Sequence, residues 1–339
     1  MPLPLILTGL TFGLAYLGIK GVDVTVDAIW DKLELNNRHH KKLESPNECS
    51  NIFQGRWVYD PNFPPLDYTK NCPFVPQQFE CLKHGRPDND YLKYKWIPNS
   101  CKLPRFHGIN FLKKVRGKSV MIVGDSVLLG IANGLRCDFL VDMVVGDNKE
   151  RVLKLDSIEK GTAKWDGYDV LVFNTWNQGL QTGKNQLWDV IEEGNVRHKN
   201  MDPLVACEKA LNTWTKWVNS KVDSKKTQIF FQGISPDHFK SRNWANPNAR
   251  NCARETRPAP GKRYPGGRHP AEAVLEKVLK QIQKPIQFMN VTAMSQLRKD
   301  GHTSIYGANG KHVDCTNWCL PGLPDVWNEL LSARLLLGY

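Results

Sequence analysis

The 339-residue chain lacks the sequence features of several large protein classes. It has no internal repeat and no long low-complexity run. Its lysines and arginines form no compact block with interleaved aromatic residues, which argues against nucleic acid as a partner. It has no Cys-x-x-Cys pair followed by a second pair at zinc-finger spacing, and Cys315 and Cys319 have no set of nearby histidines. We therefore predict a globular protein that binds neither nucleic acid nor a metal ion.

Acidic residues are also few, with 34 Asp and Glu against 46 Lys and Arg, so that the net charge is +12. The simplest interpretation is a generally basic, solvated surface. The alternative is long-range attraction of a polyanion such as an acidic polysaccharide. At 41% hydrophobic and 10% aromatic residues, a chain of this length can bury a large core. Its size favours one large domain and a smaller one.

The nine cysteines are scattered along a tryptophan-rich chain, which favours disulfides and an oxidising compartment. Cys207 lies in a helical pattern of apolar residues, so we predict a buried free thiol there. The other eight can pair with one another: Cys49, Cys72, Cys81, Cys101, Cys137, Cys252, Cys315 and Cys319.

The only long uncharged apolar stretch spans residues 3–19. It is short for a membrane span, has no basic residues before it, and no clear cleavage site follows. We predict that residues 1–20 are a signal peptide or a signal-anchor, and that only this segment contacts a membrane. Residues 21–46 are predicted to be a spacer. The sequon at Asn290 is compatible with glycosylation in a lumenal compartment.

The remaining chain divides into a Cys-rich N-terminal domain (47–104) and a larger domain (105–339). In the larger domain, short apolar runs predict strands at 119–124, 168–175, 227–235 and 285–292. Helical patterns lie at 202–219 and 271–283 and after Pro324. This alternation predicts an α/β fold, a parallel sheet sandwiched by helices, with the Cys-rich unit packed on it. Reactive loops in such sheets gather at the carboxyl ends of the strands.

The tripeptide Gly124-Asp125-Ser126 directly follows the first of these strands. Its simplest interpretation is a helix N-cap. A strand-to-helix turn also exposes the serine hydroxyl and directs backbone N–H groups toward one point, where they can stabilise an oxyanion. A serine nucleophile then needs a base, normally a histidine held by an aspartate.

Several longer segments resemble the plant trichome-birefringence-like proteins over nearly everything from residue 49 onward. The matching segments are FQGRWVYD (53–60), 71–106, IVGDS (122–126), FFQGISPDHF (230–239), YPGG (264–267), LRKDGHTSIYG (297–307) and DCTNWCLPGLPDVWNELL (314–331). That family is similar to SGNH-type esterases in fold. Its members are Golgi O-acetyltransferases of plant cell-wall polysaccharides such as xylan, mannan and pectin.

The resemblance implies a double displacement without a bound cofactor. Ser126 would take an acetyl group from a donor such as acetyl-CoA and pass it to a sugar hydroxyl, and Asp314 would orient the base. The implied location is the Golgi lumen or a type II position in the Golgi membrane; the alternative is secretion to the cell wall. The resemblance also implies four disulfides: Cys49–Cys101, Cys72–Cys137, Cys81–Cys319 and Cys252–Cys315.

The sequence departs from the family pattern at three places near the chemistry. The Asp-x-x-His motif ends here in Asn317, the family's Asn-Gln-Trp is replaced by Gly130-Ile131-Ala132, and its NTGHWW is NTWNQG (174–179). Each change removes a polar or aromatic group that could contact substrate. The predicted oxyanion and acceptor region comprises Gly124, Asp125, Gly130, Asn174 and Asn177.

Asn317 is the most consequential change, because an amide does not titrate and cannot accept the serine proton. Loss of the base in a serine triad costs about a million-fold in subtilisin. Three alternatives follow: a weakened transferase, an enzyme whose base has moved, and a polysaccharide-binding protein without catalysis. His312, two residues before Asp314 on the same predicted loop, is the candidate for a relocated base. An acetyl esterase would use the same serine and deliver the acetyl group to water.

Overall fold

The computed structural model describes residues 51–63, 75–124, 135–136, 140–146, 148–175, 186–240, 244, 249–307 and 312–337. Its strands are β1 (Gly55–Tyr59), β2 (Tyr94–Pro98), β3 (Val120–Gly124), β4 (Leu135–Arg136), β5 (Asp142–Val145), β6 (Arg151–Lys154), β7 (Val170–Phe173), β8 (Val190–Glu193), β9 (Val196–His198), β10 (Gln228–Gln232), β11 (Ile286–Met289), β12 (His302–Ser304) and β13 (Asp314–Trp318). Its α-helices are α1 (Gly108–Val115), α2 (Glu159–Trp165), α3 (Pro203–Lys221), α4 (Pro270–Leu279), α5 (Thr292–Gln296) and α6 (Leu323–Leu337). Short 3-10 helices span Gln77–Phe79, Asp90–Lys93 and Lys299–Gly301.

A five-stranded parallel sheet in the order β11-β10-β7-β3-β4 forms the centre of the larger domain. The four strands predicted from apolar runs are its first four members, so the predicted α/β class with a parallel sheet is confirmed. The predicted helices are present as α3, α4 and α6. Near-continuous apolar runs form these strands because both faces of the sheet are covered.

The alternation of side chains along β7 shows the two faces. Val170 and Val172 pack in one cluster with residues of α6 and of the N-terminal unit. Leu171 and Phe173 pack in the opposite cluster, with residues of α3 and α4. Because successive residues of a strand point to opposite faces, one apolar run supplies both cores.

The Cys-rich unit is held on the first face by covalent and polar contacts as well as by packing. Cys81 is disulfide-bonded to Cys319, which follows β13. Trp57 donates from Nε1 to the Met294 carbonyl oxygen at 2.9 Å. The buried Arg86 guanidinium donates to the Asp300 carbonyl oxygen at 2.8 Å. These contacts fix the unit against the segment that leads into β12 and β13.

The disulfides follow the pairing that the family resemblance implied, as far as the described residues extend. Cys81–Cys319 and Cys252–Cys315 are both present. Cys207 is the free cysteine of the described ranges and is buried, which confirms the predicted thiol. Cys101 is disulfide-bonded. The partner predicted for it, Cys49, lies outside the described residues, as do Cys72 and Cys137.

A second sheet, in the order β5-β6-β8-β9, was not predicted from the sequence. Its strands are only three or four residues long and carry no extended apolar run. They pack on a small separate cluster that includes Leu153, Trp188 and Ile191. Arg151 and Asp189 join β6 to the segment before β8 through a side-chain ion pair at 2.8 Å. Such short strands depend on tertiary contacts that periodicity does not reveal.

Within the described ranges, no helix combines the length and the apolar composition needed to cross a bilayer. The predicted signal or anchor segment (1–20) and the spacer (21–46) lie outside those ranges.

Candidate active site

Three neighbouring strands of the parallel sheet end at a common edge. Gly124 is the last residue of β3, Asn174 directly follows β7, and Gly233 directly follows β10. The backbone N–H of Asn174 donates to the Val123 carbonyl oxygen at 2.9 Å, and its side-chain Nδ2 donates to the Gly233 carbonyl oxygen at 3.1 Å. Asn174 therefore ties the ends of three adjacent strands together at the place where ligands bind in such sheets.

Gly233 allows β10 and α5 to approach each other closely at this edge, and its role was not predicted from the sequence. A Cβ atom built on it would lie 2.8 Å from Thr292 Oγ1 and 3.2 Å from the Met289 carbonyl oxygen. Its N–H donates to the same Met289 oxygen at 2.8 Å. A side chain would push β10 and α5 apart, so glycine keeps the strand end compact.

The predicted nucleophile, Ser126, follows shortly after the strand end at this edge. Ser126, Asp125, Gly130 and Asn177 lie outside the described residues. Ser126 is two residues beyond Gly124, so its Cα lies at most about 7 Å from that of Gly124. The described chain reaches Gly124 at the sheet edge beside Asn174, two residues before Ser126.

Asp314 and Asn317 lie three residues apart in β13 and are joined by hydrogen bonds. Asp314 Oδ1 accepts the backbone N–H groups of Thr316 at 2.9 Å and Asn317 at 3.0 Å. Asp314 Oδ2 accepts from Asn317 Nδ2 at 2.8 Å. The carboxylate is thereby fixed in orientation, and it fixes the amide in turn.

The other end of the Asn317 amide has no such partner in the described part of the chain. Its Oδ1 atom is buried and accepts no hydrogen bond from a described residue. The side chain thus presents a donor to Asp314 and a free acceptor beyond it. A histidine with Nδ1–H on the aspartate has the same polarity, but its Nε2 can accept a proton and an amide oxygen cannot.

Strand β13 is held above the sheet edge by the segment that follows β10. Trp318 donates from Nε1 to Ser235 Oγ at 2.8 Å, and the His238 backbone N–H donates to the Cys315 carbonyl oxygen at 2.9 Å. Neither Ser235 nor Trp318 was predicted to be a site residue. The sequence signal that could have pointed to Ser235 is its position, since it is a polar residue just after a buried parallel strand. These bonds connect β13 to the segment that leaves the sheet edge after Gly233.

His238 and His302 form a buried pair behind this strand. His302 Nδ1 lies 3.0 Å from the Asn317 carbonyl oxygen, and its Nε2 lies 2.6 Å from His238 Nδ1. His238 Nε2 lies 2.8 Å from the Gln296 carbonyl oxygen. Burial lowers the pKa of His238 to about 4, and burial also lowers the pKa of His302. Each of the four ring nitrogens thus lies within 3.0 Å of another polar atom, and each residue is 1% exposed.

His312, the predicted relocated base, is exposed, and its ring forms no hydrogen bond with a described residue. Asp314 begins strand β13 and does not lie in a loop with His312, contrary to the sequence-based expectation. The strand forms because β12 pairs with it antiparallel, in a register that opposes Ser304 to Asp314.

Two further site predictions concern a metal and a glycan. No group of side chains suited to a metal ion occurs among the described residues. At the predicted glycosylation site, Asn290 is half-buried and its Oδ1 is enclosed. Thr292 of the same sequon is 0% exposed. A glycan there would have to be attached before the domain folds.

Comparison with known proteins agrees with this architecture. Residues 134–334 match the PC-Esterase family, described as a GDSL/SGNH-like acyl-esterase family found in Pmr5 and Cas1p. Residues 47–102 match the PMR5 N-terminal domain. The segment containing Gly124 and Ser126 lies between these two matched ranges.

Curated relatives extend the similarity across most of the chain. It is 45% identical to the Arabidopsis thaliana protein trichome birefringence-like 43 over 86% of this chain and 89% of that protein. It is 41% identical to trichome birefringence-like 39 of the same plant, over 92% and 93% respectively. For trichome birefringence-like 38 the identity is 43%, over 88% and 86%. With its parallel sheet, its disulfide-linked Cys-rich unit and its Asp314 pair, the chain belongs to the trichome birefringence-like family of PC-esterase proteins.

Proposed function

We propose that this protein is an O-acetyltransferase of plant cell-wall polysaccharide (pectin, xylan or mannan) that acts through an acetylated Ser126. Family membership supports the acyl chemistry. The observation that carries the assignment to this chain is the Asp314–Asn317 pair, which lies in a strand that is hydrogen-bonded to the segment following β10 at the sheet edge. An oriented carboxylate with an acceptor beyond it is the kind of pair that a Ser-His-Asp triad uses, and this supports the proposal.

The proposed reaction has two steps. In the first, Ser126 Oγ attacks the acetyl carbonyl carbon, the new O–C bond forms, and the bond to the donor's leaving group breaks as that group takes the serine proton. In the second, a sugar hydroxyl attacks the same carbon, the ester to Ser126 breaks, and the sugar's proton returns to Oγ. The donor is an activated acetyl compound such as acetyl-CoA.

Asn317 limits the rate of both steps in this proposal. Its Oδ1 can accept a hydrogen bond from the serine hydroxyl and so orient it, but the proton must pass directly to the leaving group or to water. The oxyanion donors and substrate binding alone retain about 10³–10⁴-fold over water in enzymes that have lost a triad member. We therefore propose a slow transferase.

The same observation favours a second candidate, a polysaccharide-binding protein that does not turn over. Acetyl esterase activity is a third outcome, and it differs from transfer only in whether water reaches the acyl-enzyme. The disulfides support a place in the secretory pathway, and we propose the Golgi lumen or membrane, or secretion to the wall.

Mass spectrometry of the full chain, purified from a secretory host and incubated with an acetyl donor, tests the proposal. We expect an added acetyl group on Ser126 and its loss when an acceptor oligosaccharide is added, with an acetylated oligosaccharide as product. Release of free acetate instead would identify an esterase. Glycan binding without any acetyl-Ser126, in the unaltered chain and in Ser126→Ala alike, would support the binding protein.

A further inference from the structure

His238 and His302 form a row of three polar contacts between α5 and β13. His238 Nε2 lies 2.8 Å from the carbonyl oxygen of Gln296, the last residue of α5. His238 Nδ1 lies 2.6 Å from His302 Nε2, and His302 Nδ1 lies 3.0 Å from the Asn317 carbonyl oxygen. Asn317 is bonded to Asp314, so this row of contacts ends at the candidate active site.

The three contacts require three protons on the two rings. A carbonyl oxygen only accepts, so His238 Nε2 and His302 Nδ1 must each carry a hydrogen. The contact between the rings needs one more, because without it two nitrogen lone pairs would face each other at 2.6 Å. Two neutral imidazoles carry only two protons. The geometry is therefore that of a pair with one extra proton and a single positive charge.

Burial opposes this charge. As the largest influence on both rings, it lowers the pKa of His238 to about 4 and also lowers the pKa of His302, which favours two neutral rings at pH 7. The hydrogen bond between the rings acts in the opposite direction, because only the pair with the extra proton can form it. Such a charge-assisted bond is stronger in a buried place, whereas a neutral pair would have to break one of its three contacts.

The charged groups that face the two rings belong to the Cys-rich unit, to the segment before β12 and to the segment after β10. They are Arg86; Arg298, Lys299 and Asp300; and Asp237. Each of the three cations has an acidic partner: Arg86 pairs with Asp88, Arg298 with Asp300, and Lys299 with Glu255. The charges of Asp237 and Asp300 favour a proton on His238. Among the described residues, the main obstacle to the extra proton is therefore desolvation.

Aromatic rings offset part of that desolvation. His302 stacks on Trp318 with 3.8 Å between the ring centroids and 22° between the planes. His238 contacts Trp244 at 5.6 Å and Tyr264 at 5.8 Å. Tyr264 stays neutral, because burial raises its pKa to about 12. Aromatic rings at these distances attract a cation, and tryptophan does so most strongly.

We propose that His238 and His302 share one proton in the folded protein, and that this proton holds Asn317 in position at the candidate active site. Both are positioning residues, since they act through the Asn317 carbonyl oxygen and not on the substrate. Loss of the proton as pH rises breaks one contact and loosens β13. The shared proton itself is independent of the proposed function, and only its effect on the acetylation rate rests on that function.

Urea unfolding of the full chain and of His302→Asn, from pH 5 to pH 8 with the disulfides intact, tests the proton count. Asparagine Nδ2 is attached to Cγ as histidine Nδ1 is, so the variant keeps a donor for the Asn317 carbonyl oxygen but cannot share a proton with His238. Both proteins contain Glu329, so its contribution cancels in the ratio of their folding equilibrium constants.

The ratio of the unaltered chain to the variant should be constant below the ordinary histidine pKa of about 6.5, because unfolding then takes up one proton in each protein. Above it, only the unaltered folded chain still holds a proton, so the ratio should fall by up to about ten-fold per pH unit. Two neutral rings give the reverse pattern, a ratio that rises up to about pH 6.5 and is constant above it. The control His84→Asn replaces an exposed histidine and should leave the pH dependence of unfolding unchanged.

NMR spectra of the unaltered chain labelled with ¹⁵N-histidine observe the proton directly. At pH 6 we expect one ring N–H proton shifted far downfield of the others by the short N–H···N bond, and absent from His302→Asn. These spectra need no variant that folds, because the unaltered chain alone shows whether the pair carries two protons or three.

The rate of Ser126 acetylation tests the positioning role. His302→Phe keeps a ring on Trp318 but has no donor for Asn317, so it should be slower by up to about 10²-fold, the cost of a misplacement of about 1 Å. His302→Asn keeps the donor and should retain most of the rate. Its rate should also lack the decline that loss of the shared proton causes in the unaltered chain as pH rises.

The inference is wrong if the ratio of folding constants rises with pH below 6.5, if the spectra show two neutral rings at pH 6, or if His302→Asn and His302→Phe acetylate equally slowly. A chain that never acetylates Ser126 still gives the unfolding and NMR results. Failure of the proposed function is therefore distinguishable from failure of the shared proton.

Discussion

Replacing Asn317 with histidine should restore the missing base, because its hydrogen-bond partner is already in place. Asp314 Oδ2 accepts from Asn317 Nδ2 at 2.8 Å, and histidine Nδ1 is attached to Cγ just as Nδ2 is. The imidazole can therefore donate Nδ1–H to the same oxygen. Its Nε2 then projects one bond beyond the position of the present Oδ1, on the side of the amide that faces no described donor.

The expected gain follows from the role of a positioned general base, which contributes about 10²–10⁴-fold. We expect Asn317→His to raise acetyl transfer or ester cleavage by at least about 10²-fold, equivalent to about 2.7 kcal/mol of transition-state stabilisation. The substitution also removes a buried acceptor without a described partner, a group whose burial costs about 1–3 kcal/mol. The larger ring should therefore cause little loss of stability.

The assay is the rate of acetyl transfer to an oligosaccharide and of nitrophenyl acetate cleavage, measured from pH 5 to pH 9. The rate of the variant should increase with pH around the ordinary histidine pKa of about 6.5, because the base must be unprotonated. Asn317→Gln is the matched control, because it keeps an amide and cannot titrate. Ser126→Ala added to Asn317→His should abolish the gain.

A variant no faster than Asn317→Gln would refute this reasoning. If the unaltered chain turns over well and His312→Ala abolishes that activity, then the base has moved, although His312 is exposed.

Further predictions concern thiols, a disulfide and a buried carboxyl group. Burial raises the pKa of Cys207 to about 12, so an alkylating reagent should label one thiol per chain, and only after unfolding; four or more labelled cysteines would contradict the disulfide framework. Cys81→Ser/Cys319→Ser should lower the free energy of unfolding by about 2–5 kcal/mol in urea titrations, whereas an unchanged midpoint would show that the bridge contributes little. Burial raises the pKa of Glu329 from 4.5 to about 7, with Asp325 adding to the effect. Between those pH values the folded chain binds more protons than the unfolded chain, so its stability falls as pH rises through this window, by about 3 kcal/mol in total. Glu329→Gln cannot ionise, so urea unfolding at pH 5 and pH 8 should show a smaller difference in that variant, and an equal difference would contradict the assignment.

Apolar runs predict the central sheet because its strands are covered on both faces. Val170–Phe173 must be apolar at every position, since alternate side chains enter opposite cores. The second sheet could not be predicted in this way. Its strands are only three or four residues long and show no alternation of buried and exposed residues, and they are stabilised by contacts such as Arg151 with Asp189.

At the site, the sequence by itself determined which chemical groups are present. It supplies a serine after a buried strand, a carboxylate three residues before Asn317, and an amide that cannot titrate at that position. These conclusions need only residue identity and spacing, because titration is a property of the side chain itself.

Tertiary structure alone decided which of these groups come together. Ser235 and Trp318 are 83 residues apart, yet their hydrogen bond sets β13 above the edge of the parallel sheet. The same folding buries His238 and His302 and leaves His312 in solvent. Long-range packing determines burial and orientation, and these depend on contacts between segments that local spacing cannot encode.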